Sequence, residues 1–247
     1  MTRVLFAGES WSVTSTHTKG FDSFTTTNYE EGGAALLDAL DTDGFEVTYM
    51  PCHVAMTSFP STREELDAYD VVLLSDIGSN SFLLPAATFL LGKRTPNRLD
   101  LIRDWTVDGG GFGMIGGYMT FMGIEGKANY RNTSIADILP VDMELGDDRV
   151  EAPQGAIARN VESSPITAGV DHTWPALLGY QKFTARDGAT VVASFDADPM
   201  LVTGLFGQGR SLAYASDIGP HWAPEEFTAW SGFGQIWRQS VKWLAGE

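Results

Sequence analysis

Val71-Val72-Leu73-Leu74 is an unbroken apolar run between Asp70 and Ser75-Asp76. A strand with one wet face alternates. A strand that is apolar at every position is buried on both faces, as in a parallel sheet covered by helices on each side. The residues around it fit that frame. Upstream, Ser61-Thr62-Arg63-Glu64 matches a capping box, Ser61 accepting from the backbone and Glu64 reaching back, and opens a short helix to Ala68. Downstream, 98–107 carries Leu99, Ile102 and Trp105 on one helical face, Gly109-Gly110-Gly111 stops it, and Phe112 to Ile115 forms the next strand. Nearer the start, Val4-Leu5-Phe6-Ala7 closed by Gly8 reads as the first strand. A polar loop follows from Glu9 to about Asn28, then a helix from about Tyr29 to Leu40 with Ala35, Leu36, Ala39 and Leu40 inward. Phe45 to Met50 alternates as the second strand. The first 120 residues therefore read β-α-β-α-β-α-β, which predicts an α/β fold with a doubly wound, mostly parallel sheet and helices on both faces.

The later half is richer in β-structure. Val191 to Phe195, Leu201 to Phe206 and Ser211 to Ala215 read as strands, with a hairpin turn at Gly207-Gln208-Gly209. One helix is expected from about Glu225 to Leu244, with Phe227, Trp230, Phe233, Trp237, Val241 and Leu244 as its apolar stripe. No repeat, low-complexity segment or linker interrupts the chain, so residues 1–247 read as one domain.

Sixteen Lys and Arg oppose 32 Asp and Glu, for a net charge of −16. Such a field repels phosphate backbones and anionic lipid, which argues against nucleic acid and membrane as partners. Charged residues are only 19% of the chain, while it holds seven Trp and fourteen Phe. This pattern fits apolar contacts between subunits, hence a homo-oligomer, and equally a large core. The lone Cys52 cannot form an internal disulfide, and the N-terminus shows no apolar leader, so the cytoplasm is the expected compartment.

In an open α/β sheet, ligands bind beyond the carboxyl ends of the strands. The residues that follow the expected strands are Glu9, Ser10 and Trp11; Cys52 and His53; Ser75 to Asn80; Gly116-Gly117-Tyr118; and Asp217 to Trp222. Topology thus groups Glu9, His53, Asp76, Tyr118, Asp217 and His221 in one polar, aromatic-lined cleft. Asn80 and Trp11 lie at its margin. The turn after Ile115 has the strand, glycine bend and following helix of a nucleophile elbow, yet its tip is Gly116, Gly117 or Tyr118 rather than Ser, Cys or Asp. It serves either to aim backbone N–H groups at a ligand or simply to pack. His17, Lys19 and Asp22, in the long first loop, read as a lid, as a reach toward a neighbouring subunit, or as solvated loop. Glu125, Lys127, Asn129, Tyr130 and Arg131 suit hydrogen bonding to a polyol, or a salt-bridged loop. The four histidines lack HxH or HxxxH spacing, so neither a metal nor another cofactor is expected.

The segment Gly109 to Tyr118 resembles the elbow region of class I glutamine amidotransferase-like proteins, in particular their cytoplasmic amidotransferase-like group. The resemblance extends to Trp11 to Ser15, His17 to Asp22, Ser75 to Gly78, Gly123 to Tyr130 and Asp217 to Trp222, and so spans nearly the whole chain. Trehalose-utilisation-like proteins are similar at greater distance. The resemblance implies a flavodoxin-like sheet of the class I amidotransferase type. It also implies a Cys at the elbow and a late His followed by an acid. The elbow slot is Gly116 or Gly117, whereas His221 is followed by Glu225 and Glu226. Cys52, after the second strand, reads as a buried neighbour of His53.

The functional expectation is a protein that binds or transforms a small polar metabolite, such as a carbohydrate derivative, without an elbow thiol. His221 and Asp76 would be catalytic. Glu9, Trp11, His17, Asp22, His53, Asn80, Gly116, Gly117, Tyr118, Lys127 and Asp217 would bind the ligand. The alternatives are an active glutamine amidotransferase or glutaminase, and a non-catalytic oligomeric binding module.

Overall fold

A computed structural model of the chain describes all 247 residues. Five strands form a parallel half-sheet: β1 (Thr2–Gly8), β4 (Phe45–Met50), β5 (Val71–Ser75), β6 (Gly111–Ile115) and β13 (Gly209–Tyr214). They lie in the order β4-β1-β5-β6-β13, the flavodoxin-like arrangement. Between β1 and β4 the chain forms strands β2 (Ser10–Lys19) and β3 (Asp22–Glu31), then helix α1 (Ala34–Leu40). Helices α2 (Cys52–Ser58) and α3 (Arg63–Leu66) connect β4 to β5. Helices α4 (Asn80–Leu83), α5 (Ala86–Phe89) and α6 (Arg98–Val107) connect β5 to β6. Val71 to Leu74 are buried at every position, as their unbroken apolarity requires.

Beyond β13 the sheet continues antiparallel through β12 (Asp198–Phe206), β11 (Thr190–Phe195), β8 (Arg149–Asn160) and β9 (Thr173–Gln181), nine strands in all. A small pair, β7 (Val141–Met143) and β10 (Phe183–Ala185), lies apart. The chain ends in α7 (Glu225–Thr228) and α8 (Ser231–Leu244). Helices α1 and α8 pack together on one face of the parallel half; α2, α3, α4 and α6 pack together on the other. One cluster of 56 buried residues fills both interlayer spaces.

The α/β architecture, the parallel strands and α6 (Arg98–Val107) agree with the sequence reading. Several local expectations need correction. The expected loop from Glu9 to Asn28 and the first turns of the expected helix from Tyr29 are a ribbon of two ten-residue strands, and α1 starts only at Ala34. Alternation of apolar and polar residues could not reveal it, because neither face is buried. Its Thr content favours extended backbone, and Gly20, at φ 64, supplies the tight turn. The capping box sits one residue later than expected: Thr62 Oγ1 accepts from Glu65 N, and the Glu65 side chain returns to Thr62 N. No helix follows β6; the chain there is irregular and passes through short 3₁₀ turns. The C-terminal helix is two helices separated by an extended Trp230, whose ring lies where a Cβ on Gly232 would be. Strands β8 and β9 went unseen because each carries a proline and a glycine (Pro153 and Gly155; Pro175 and Gly179), and β8 shifts register between Glu151 and Ala156.

Candidate functional site

The site lies where β1, β5, β6 and β13 end. Three of the residues there are non-glycine residues held at positive φ: Glu9 (51°), Asp76 (43°) and His221 (111°). Left-handed backbone costs an ordinary L-residue on the order of 1–3 kcal/mol and persists only where the surroundings impose it. The imposition is visible at the β6 turn. Gly117 has φ 143°, and a Cβ there would stand 2.8 Å from the Asp76 Cβ. The Gly117 backbone thus lies directly against the Asp76 side chain, an approach that a residue with a Cβ would block.

The turn is then fixed by two buried side chains, Gln181 on β9 and Asp148 just before β8. Gln181 Oε1 accepts from Gly117 N (3.2 Å), and its Nε2 donates to Gly117 O (2.6 Å) and Thr120 O (2.8 Å). Asp148 accepts from Met122 N (2.9 Å) and Gly123 N (2.8 Å). Asp76 Oδ1 accepts from Met119 N at 2.6 Å. The Met119 N–H is therefore taken by a carboxylate of the same chain.

Beneath this turn, Glu9 and Asp217 are each 1% exposed and face one another. Ser75 Oγ donates to Glu9 Oε2 at 2.5 Å, and Asp217 Oδ1 accepts from Ile218 N (2.7 Å) and Gly219 N (3.3 Å). Burial pushes the Glu9 carboxyl up to about 8, and the nearby Asp76 charge adds to the rise. Burial also raises Asp217 well above the carboxylate range, with Glu9 and Asp76 contributing. Two buried carboxylates side by side cannot both ionise, so this pair holds a proton at neutral pH. Asp76 is raised by burial too, offset by the Met119 N–H and by the His221 charge.

Above the carboxyls stands an aromatic wall. The His221 ring is 5.2 Å from Trp11 and stacks on Tyr118 at 5.5 Å with 22° between planes. Tyr118 is held in turn: its hydroxyl donates to Glu151 Oε1 (3.3 Å), Arg149 lies over its ring (4.8 Å), and Trp222 packs against it while donating to Glu151 Oε2 (3.0 Å). Cys52 also belongs to this neighbourhood, its Sγ 3.7 Å from Asp76 O at the start of α2. Burial pushes its thiol up, opposite to what a nucleophilic thiolate requires.

Of the expected site residues, the structure brings together Glu9, Trp11, Asp76, Gly116, Gly117, Tyr118, Asp217 and His221. His53 is exposed and meets Tyr29 edge-on at 5.3 Å. Asn80 is exposed at the start of α4. Lys127 is exposed and paired with Glu125 at 2.6 Å. His17 and Asp22 lie on the ribbon, His17 stacked on Phe24 at 4.7 Å. At about 3.3 Å per residue, His17 is about 20 Å along the strand from Trp11. Ser75 was read at the strand end but given no role, and Gln181, Asp148, Arg149 and Glu151 were missed. Gln181 and Asp148 are polar residues with almost no exposure, and nothing in their local sequence reports that.

No group of three or more His, Cys, Asp or Glu side chains is arranged to hold a metal. No helix is long and apolar enough to cross a membrane.

Two cytoplasmic proteins of Salmonella typhimurium are each 45% identical to this chain. Their solved structures superpose with TM-scores of 0.94 and 0.95, covering 98% of this chain and 98% and 99% of theirs. Their descriptions name the compartment expected from the sequence. A ThuA-like protein of Parabacteroides merdae, 10% identical, shares the fold at a TM-score of 0.57, over 99% of this chain and 89% of that one. A search of curated proteins finds no match. A family model described as "Putative glutamine amidotransferase" matches residues 3–246, and with the two 45%-identical relatives this establishes that the chain belongs to that glutamine amidotransferase-like family.

Proposed function

We propose that this family member binds and transforms a small, polar, uncharged metabolite of the polyol or carbohydrate type, with His221 and Asp76 moving the proton, and that it does not hydrolyse glutamine through a thiolate. The observation that carries the reading is the β6 turn. Its tip is Gly116-Gly117-Tyr118, and its Met119 N–H is engaged by Asp76 at 2.6 Å. Thiolate-driven amide hydrolysis needs a sulfur at the bend and a free backbone donor for the developing oxyanion.

The surroundings favour a polyol. Trp11, Tyr118 and His221 offer ring faces on which the C–H face of a sugar packs, while Asp76 beside them is a hydrogen-bonding carboxyl. Imidazole is the side chain suited to give and take a proton near neutral pH. Glu9 and Asp217, holding a proton between them, keep the floor from carrying two further negative charges.

A thermal-shift screen of sugars, sugar acids and polyols tests this reading. A stabilising compound is expected to raise the midpoint of the wild type and to be converted by it. His221→Ala should still bind but lose at least a hundredfold in turnover. Full turnover in His221→Ala would remove the histidine from the chemistry.

A further inference from the structure

Nothing in this chain covers the β2–β3 ribbon. Ser12 to Glu31 are exposed without interruption, neither outer edge pairs with another strand, and Phe21 at the turn stands fully in solvent. A lone two-stranded hairpin is marginal in water, and an unpaired edge is a template for another chain. Its internal ties are slight: the ladder, hydroxyl contacts between Thr14 and Thr27 and between Thr16 and Thr25, and the His17–Phe24 stack. The two faces differ. The register puts Trp11, Val13, His17 and Phe24 on one side, with Lys19 and Asp22 at its tip, and mostly Ser and Thr with Tyr29 on the other.

Charge indicates what kind of partner the ribbon suits. From Ser12 to Tyr29 the only charged residues are Lys19 and Asp22, which cancel, within a chain of net charge −16. The ribbon can therefore approach another acidic copy without the repulsion that the rest of the surface would generate. A matching surface exists. Leu84, Phe89, Leu90 and Leu91 are 38–71% exposed on the excursion between α4 and α6. Lys93 and Arg94 follow after Gly92, form no ion pair, and line a recess of about 470 Å³.

We infer that the β2–β3 ribbon is an assembly arm whose tip docks on the Leu84–Arg94 excursion of a second copy of this chain. Phe21 and the apolar face meet Phe89, Leu90 and Leu91, and Asp22 meets Lys93 and Arg94. The excursion begins four residues after Asn80, on the sheet edge that carries Asp76. The inference goes beyond the proposed chemistry and does not depend on it.

The test is mass in solution, read by light scattering on the full chain with no ligand. Wild type is expected at a multiple of 26.8 kDa. Phe21→Asp should dissociate to 26.8 kDa with an unchanged thermal unfolding profile in the dissociated state, because Phe21 touches nothing in its own chain. Leu90→Asp should do the same from the other side. Asp22→Arg should weaken assembly at least tenfold, and Lys93→Glu with Arg94→Glu in the same chain should restore it. A wild-type monomer at high micromolar concentration overturns the inference. So does an assembly that survives Phe21→Asp, or one broken by Phe21→Asp but indifferent to Leu90→Asp, which would place the arm on another surface.

Discussion

Two segments leave the same edge of the sheet and meet opposite fates. The chain after β6 is drawn inward: Gly117 abuts Asp76, Gln181 and Asp148 satisfy its backbone, and its residues from Gly116 to Gly123 are buried or half-buried. The chain after β1 goes outward as a ribbon with nothing around it. The first segment gets its shape from its own chain, at the cost of strained backbone, so its role is to fix atoms. The second has little to hold it within this chain, which is why we infer a contact role for it. On that reading the two segments divide chemistry from assembly on one edge, and substitutions in them should behave accordingly.

The largest effect is expected at Gly117. A valine there would place Cβ 2.8 Å from Asp76 in a backbone conformation unsuited to a branched residue. It should cost about 3–4 kcal/mol in denaturant unfolding. A loss below about 1 kcal/mol would mean that the turn is not held against Asp76.

A smaller effect concerns pH. Glu9 is raised to about 8 in the folded chain, so between about 4.5 and about 8 the folded state keeps a proton that the unfolded state releases. Stability should therefore fall as pH rises through that window, by at most about 1.4 kcal/mol per pH unit for one such group. Asp217 and Asp76 act in the same direction. Glu9→Gln should flatten the fall by about one proton's worth in thermal unfolding from pH 5 to 8. A slope identical to wild type would mean that Glu9 is ionised throughout.

The smallest effect is expected on the ribbon. Thr16→Ala removes one exposed hydroxyl contact, at 3.5 Å from Thr25. It should change chemical stability by no more than about 0.5 kcal/mol. A loss of several kcal/mol, measured on dissociated chain, would show that the ribbon is integral to the single-chain fold and would erase the contrast.

What could be read from the sequence follows the same division. The parallel strands were legible because burial on both faces leaves a continuous apolar signature, as in Val71 to Leu74. Helix α6 was legible from Leu99, Ile102 and Trp105 at helical spacing, with Asn97 capping it. Fold topology then grouped Glu9, Asp76, Tyr118, Asp217 and His221 without any local motif, together with His53, which lies exposed against Tyr29 instead. The ribbon was illegible because a strand exposed on both faces leaves no alternation to detect. Gln181 and Asp148 were illegible because their burial arises from pairing with a turn 64 and 26 residues away. The missing helix after β6 has the same origin: Phe121, Glu125 and Asn129 adopt left-handed backbone. They do so because distant side chains, not local propensity, take up the hydrogen bonds.

The central claim is that the bend after β6 offers no thiol, with its Gly117 and Met119 N–H groups already engaged by Gln181 and Asp76. Ammonia release from glutamine, measured for the wild-type chain alongside Cys52→Ala, tests it most directly. Both proteins are predicted to release ammonia no faster than buffer alone. Release by the wild type that disappears in Cys52→Ala would contradict the account and would make the sulfur beside Asp76 the attacking atom.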